Sequence, residues 1–80
     1  MFFVYVISSK IRKYIYVGLS ENVERRVGEH NSGKERTTKP YLPFELIHQE
    51  EFATRIEARN REKKLKTGAG KEWIKKNFIK

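Results

Sequence analysis

The chain contains no cysteine and no aspartate, and only two prolines and one tryptophan, among 80 residues. Without cysteine, neither a disulfide framework nor a cysteine-rich zinc site can brace the fold, and the redox compartment is not encoded. Without aspartate, all carboxylate chemistry falls to ten glutamates. Long apolar runs are also missing. The longest fall far short of a membrane span, and Met1 leads straight into strand-like sequence rather than the charged start and apolar core of a signal peptide. The expectation is an intracellular, cytoplasmic protein with no membrane partner. No GxxxxGK[ST] loop, HExxH pair or glycine-flanked serine is found, which argues against nucleoside triphosphate binding, a zinc-protease site and an acyl nucleophile.

What is present suffices for one domain, residues 1–80, near the lower size limit for a self-sufficient core: 38% of residues are hydrophobic and ten are aromatic. The formal net charge is +8, and residues 61–80 carry most of it, with eight basic side chains against two acidic ones. Such a field attracts phosphate polyanions and releases their counterions, so binding to them should weaken steeply with salt. A solvated surface, an anionic membrane or an acidic protein would satisfy the same charge.

Phe2 to Ile7 is apolar at alternate positions on both faces, the pattern of an interior strand, and Tyr14 to Leu19 repeats it. The polar stretch between them predicts a hairpin. If symmetric, it places Tyr5 opposite Tyr16 with Cβ atoms roughly 5 Å apart, unless a bulge shifts the register. A helix follows, N-capped by Ser20 or Asn22 and left through Asn31-Ser32-Gly33. On it Val23, Arg26, Val27 and His30 fall at i, i+3, i+4 and i+7, one stripe turned toward the sheet. Residues 32–43 form a polar loop whose Lys34, Arg36 and Lys39 are candidate phosphate contacts. Phe44, Leu46 and Ile47 mark a third strand, and Thr54-Arg55-Ile56-Glu57 is a capping box that opens a second helix, ended by Gly68. Ala58, Glu62 and Leu65 share a sector of about 60° on that helix, so Glu62 lies on its apolar face. A final lysine-rich helix, about 71–78, should dock through Trp73, Ile74 and Phe78.

An inward carboxylate needs a cation, hydrogen-bond donors or a metal. Spacing alone favours an ion pair between Glu62 and Arg26. The alternative is a magnesium ion, which one carboxylate can hold because the ion keeps most of its waters and takes other ligands from substrate phosphate. A two-metal site would need a second inward acid, and none is apparent. His30 alone reads as a hydrogen-bonded structural histidine, and Tyr5 and Tyr16 alone as core aromatics. Their convergence with Arg26 and Glu62 suits phosphodiester hydrolysis, which needs a base for water, a cation for the pentacovalent phosphate and help for the leaving oxyanion.

These residues resemble the GIY-YIG nuclease family, especially its small single-domain members related to the UvrC N-terminal domain, over essentially the whole chain. Phe3-Val4-Tyr5 stands at the GIY position and Tyr16-Val17-Gly18 at the YIG position, with a family-typical separation of eleven between the tyrosines. Arg26 and His30 match the arginine and histidine of the following helix, and Glu62 matches the metal-binding glutamate. The segment from His30 through Tyr41, and Leu65-Lys66-Thr67-Gly68 leading to Trp73, are similar to the small-member subgroup.

The resemblance implies an α/β fold of the α+β type, a compact three-stranded antiparallel sheet flanked by about three helices. It also implies metal-dependent, one-metal endonuclease activity on DNA, structured or branched. Glu62 would hold Mg2+ or Mn2+, Tyr16 would position or deprotonate water, Arg26 would contact the phosphate, and Tyr5 and His30 would orient water or relay its proton. Lys63, Lys64, Lys66, Lys71, Lys75 and Lys76 are expected to make nonspecific backbone contacts. Leu19 follows the YIG position where some relatives carry lysine, which keeps open a noncatalytic DNA- or RNA-binding module. A protein-interaction domain with a buried Arg26–Glu62 pair is the third reading.

Overall fold

The computed structural model describes residues 1–79. Strand β1 (Phe2–Ser9) lies between β2 (Ile15–Ser20) and β3 (Phe44–Phe52), and both pairings are antiparallel. Helix α1 (Val23–Asn31) and a short 3-10 turn (Lys39–Tyr41) connect β2 to β3; α2 (Arg55–Leu65) and α3 (Gly68–Phe78) follow. This is the α+β architecture that the family resemblance implies.

As the middle strand, β1 buries side chains on both faces. Val4 and Val6 join Ile15, Val17, Ala58, Leu65 and Ile74 in a layer beneath α2 and α3. Tyr5 and Ile7 point the other way and pack with Val23 of α1 and Phe44. Helices therefore cover both faces of the sheet, and β2 is an edge strand.

The hairpin is not the symmetric one. Tyr5 pairs with Gly18 and Ile7 with Tyr16, so the turn is centred one residue later. Ser9 accounts for the shift: its hydroxyl accepts hydrogen bonds from the amides of Ile11 and Arg12, while its own amide donates to the Tyr14 carbonyl at 2.9 Å. Side-chain direction alternates with a period of two, so a two-residue displacement leaves Tyr5 and Tyr16 on one face. A bulge where β3 passes Val6 and Ile7 turns Phe44 and Phe52, eight residues apart, to opposite faces, so that Phe52 packs in the first layer and Phe44 in the second.

Two expectations at the C-terminal end need correction. Gly68 does not end the second helix: Leu65 is its last residue, and Gly68 is the first of α3. Thr67 caps α3 by accepting from the Gly70 amide at 3.0 Å, so the Thr-Gly-Ala-Gly stretch starts a helix. A Cβ on Gly70 would fall 2.6 Å from the Leu65 Cα, so a glycine is needed where the two helices meet. Ile74 alone docks α3 fully. Trp73 and Phe78 remain 40% and 38% exposed, gathered on the surface around His48, with the Arg61 guanidinium over the indole at 5.2 Å.

Candidate active site

Asn22 caps α1, accepting from the Arg25 amide at 3.0 Å, and Ser20 braces the cap through the Asn22 amide and carbonyl. At the other end, the Asn31 side chain donates to the Phe44 carbonyl and accepts from the Phe44 amide at 2.7 Å, pinning α1 to the start of β3. These anchors aim the Val23, Arg26, Val27, His30 stripe at the Tyr5 face of the sheet. Val23 and His30 are buried there, and Arg26 stands at the margin with 24% of its side chain exposed.

His30 is fully buried and bonded at both ring nitrogens: Nε2 lies 2.9 Å from the Tyr5 hydroxyl and Nδ1 lies 3.0 Å from Thr38 Oγ1. The Thr38 hydroxyl faces the Glu35 carbonyl at 3.5 Å. If it donates there, it accepts from Nδ1–H, and Nε2 accepts the Tyr5 proton. The electrostatics agree with an uncharged chain. Burial, then the Arg26 charge, holds the imidazole below its ordinary pKa, and burial, then Tyr16, pushes the Tyr5 phenol well up. Tyr5 is 1% exposed, whereas Tyr16 is only partly buried, its ring centroid 4.8 Å from that of His30. Tyr16 is therefore the phenol of the pair with access to solvent.

Arg26 Nη1 meets Glu29 at 3.0 Å and Glu35 at 2.7 Å. Burial opposes the guanidinium charge, but the hydrogen bonds to Glu35 and Glu29 outweigh it and hold the pKa above its usual value. The same contact with Arg26 draws the Glu35 carboxyl down. The expected Arg26–Glu62 ion pair is absent because the partners occupy opposite faces of the sheet. Glu62, 5% exposed on the apolar side of α2, pairs instead with Arg59 at 2.8 Å and Lys66 at 3.3 Å, neighbours on its own helix.

Tyr5, Tyr16, His30 and Arg26 thus come together on the α1 side, and Glu62 lies beneath the α2 side. Among the described residues no three His or Glu side chains group as metal ligands. Glu62 nevertheless fits a magnesium-type ion: it is a buried carboxylate whose two cationic partners are about half exposed and free to swing away. Lys34, Arg36, Lys39, Lys63, Lys64, Lys66, Lys71, Lys75 and Lys76 are all exposed. Sequence reasoning missed Glu29, Glu35 and Thr38. Glu29, three residues after Arg26 on one helix, was legible as an ion-pair partner. Glu35 and Thr38 carry no local signal, because only the path of the loop brings them to Arg26 and His30.

Gly18 holds this arrangement open. It pairs with Tyr5 across the hairpin, and a Cβ there would fall 2.8 Å from Tyr5 Cε1 and closer still to the hydroxyl end. Gly18→Ala should displace the phenol, break its bond to His30 and cost about 1–3 kcal/mol in urea unfolding. An unchanged midpoint would contradict this contact.

His30 also makes stability depend on pH. Its folded pKa lies below the ordinary 6.5, so the unfolded chain takes up a proton first as pH falls. This contribution is complete above 6.5 and declines below it, as charge develops against Arg26 and is offset in part by Glu35 and Glu29. Glu35 and Glu50, both held below the ordinary 4.5, add a second loss below that value. Thermal melts should show a decline in Tm between pH 7 and 5 that His30→Gln removes, and a further decline below 4.5 that it retains.

A three-stranded sheet with β1 central, a Tyr–His–Thr chain under α1 and a marginal arginine define the class, and a family model described as the GIY-YIG catalytic domain matches residues 1–77. The chain belongs to the GIY-YIG family, which supports a nuclease-type function. Within it the chain is similar to UPF0213 proteins. One from Staphylococcus haemolyticus is 36% identical over 74 residues, spanning 91% of this chain and 89% of that one. One from Natronomonas pharaonis is 39% identical over 66 residues, spanning 81% and 76%. The solution NMR structure of a UPF0213 protein from Bacillus halodurans superposes with a TM-score of 0.56 at 31% identity, covering 92% of this chain and 82% of that one.

Proposed function

We propose that this chain, folding as one domain, is a metal-dependent endonuclease that hydrolyses phosphodiester bonds in DNA at flaps, nicks or branches, as DNA repair requires. The observation that carries the reading is Arg26, partly buried beside Tyr5 and held by two carboxylates that a substrate phosphate can replace. Water attacks phosphorus, the bond to the leaving oxygen breaks, and charge builds on the pentacovalent phosphate. Arg26 would stabilise that charge, and Tyr16 would orient the water and, once its own phenolic proton has passed to solvent, receive the proton of that water. Tyr5 and His30 are buried and act as positioning residues: they hold the Tyr16 ring in place. Glu62 would hold Mg2+ or Mn2+, which supplies charge neutralisation at a phosphate oxygen when bound. The exposed lysines would contact backbone phosphates without reading bases, which suits recognition of DNA shape in the cytoplasm. No helix among the described residues is long and apolar enough to cross a membrane.

Leu19 favours a second reading, a noncatalytic DNA- or RNA-binding module: its side chain packs toward the α2 layer, so that position offers Tyr16 no cation. The deciding experiment is incubation of labelled linear, flapped and branched DNA at low salt with Mg2+, Mn2+ or EDTA, with binding recorded in parallel. Metal-dependent cleavage supports the nuclease. Binding without cleavage in any metal selects the second reading.

A further inference from the structure

A cavity of about 470 Å3 lies at the hairpin end of the sheet, on the α3 side, away from the Tyr5–His30 pair. Ser8, Ser9, Tyr14 and Ile15 form its floor and one wall. Arg12 and Lys13 reach it from the hairpin turn, and Lys71 and Lys75, one helical turn apart on α3, face them. Four cations line the cavity, with Ile79 beside them, and among the described residues no side-chain carboxylate does. None of the four forms an ion pair among the described residues, whereas Arg25, Arg26, Arg59, Arg61 and Lys66 each have a carboxylate partner. Like charges held around one concavity repel each other, and the repulsion is relieved when an anion enters.

We propose that this cavity is a seat for a backbone phosphate of the nucleic acid, distinct from the scissile position. The open edge of β2 links the two places. Ile15 lines the cavity and Gly18 abuts Tyr5, three residues further along the strand. Tyr16, the residue set against the attacking water, directly follows Ile15 and points to the opposite face, so the seat and the scissile position lie on the two sides of that edge. A strand following that edge meets the seat on one side of the scissile phosphate, so the hairpin turn and α3 together set its direction across the site. The proposal rests on the nuclease reading for its substrate, but the seat itself needs no metal.

The test uses the full chain in EDTA, with a single-stranded oligonucleotide as probe and inorganic pyrophosphate as the small-phosphate comparison. Arg12→Gln/Lys75→Gln is compared with Arg25→Gln/Arg55→Gln, which removes equal charge elsewhere. The first pair should lower the slope of log affinity against log salt by about 1.4, two contacts at ~0.7 each, and the second should leave it unchanged. Amide NMR shifts on adding oligonucleotide should include Ser9 to Tyr14 and Lys71 to Lys75, and should be lost from those segments in the first variant. Equal slope changes in both variants, or shifts there with pyrophosphate but not with oligonucleotide, would overturn the proposal. Cleavage in metal with an unaltered slope would refute the seat and leave the nuclease standing. A lowered slope without cleavage would do the reverse.

Discussion

Glu62→Gln is expected to abolish metal-dependent cleavage while the protein stays folded and still binds DNA. The side chain is 5% exposed between Ala58 and Leu65, so the substitution must conserve volume, and glutamine does. Its ion-pair partners, Arg59 and Lys66, are 47% and 50% exposed, and such solvent-screened contacts contribute at most about 1 kcal/mol each. Stability should therefore change little. Metal affinity should change greatly, because an amide oxygen replaces the one carboxylate buried among the described residues. A bound divalent ion supplies several kcal/mol of transition-state stabilisation, so the loss should be on the order of 100-fold or more. Calorimetric titration with Mn2+ gives a readout independent of turnover: binding to the wild type that is lost in Glu62→Gln assigns the ligand. Cleavage at the wild-type rate by the variant would remove Glu62 from the mechanism.

The second large effect is expected at Arg26. Arg26→Ala should reduce the cleavage rate by roughly 10²–10³, the usual consequence of losing one preorganised donor to a developing anion. Unlike Glu62→Gln it should also destabilise the fold, since Glu29 and Glu35 lose their shared partner beside His30. Arg26→Lys separates the two effects. A lysine keeps the charge but not the planar fork that addresses two oxygens at once, so stability should largely return while rate recovers only in part. Full activity in Arg26→Lys would mean that the residue acts as a point charge alone. Single-turnover rates at saturating DNA, with urea unfolding in parallel, distinguish these outcomes.

The elements that pack through simple periodicity were legible in the chain. Apolar alternation on both sides of Phe2 to Ile7 required a central strand, and the i, i+3, i+4, i+7 spacing from Val23 to His30 required a helix with Arg26 and His30 on its inner stripe. Both follow from local geometry, which repeats every two residues in a strand and every 3.6 in a helix. The same logic set Glu62 inward. Where one residue's side chain bonded its neighbours' backbone, the reading slipped: Ser9 recentred the hairpin, and Thr67 opened a helix at a place that looked like an exit.

The partners of the inward residues were a different matter. Glu62 was expected to meet Arg26, and both do form ion pairs, but with Arg59 and Lys66 in one case and Glu29 and Glu35 in the other. Helical spacing says that a side chain points at the sheet and does not say at which face, because that depends on which side of the sheet the connecting chain crosses. The sequence by itself determined the strand and helix pattern, the basic C-terminal quarter and the inward direction of Tyr5, Arg26, His30 and Glu62, because each rests on near-neighbour geometry and composition. Only the tertiary structure decided that Glu62 lies across the sheet from the others, that Thr38 completes the His30 chain and that Arg12 and Lys13 face Lys71 and Lys75. Those are contacts between segments distant in the chain, and no local periodicity encodes them.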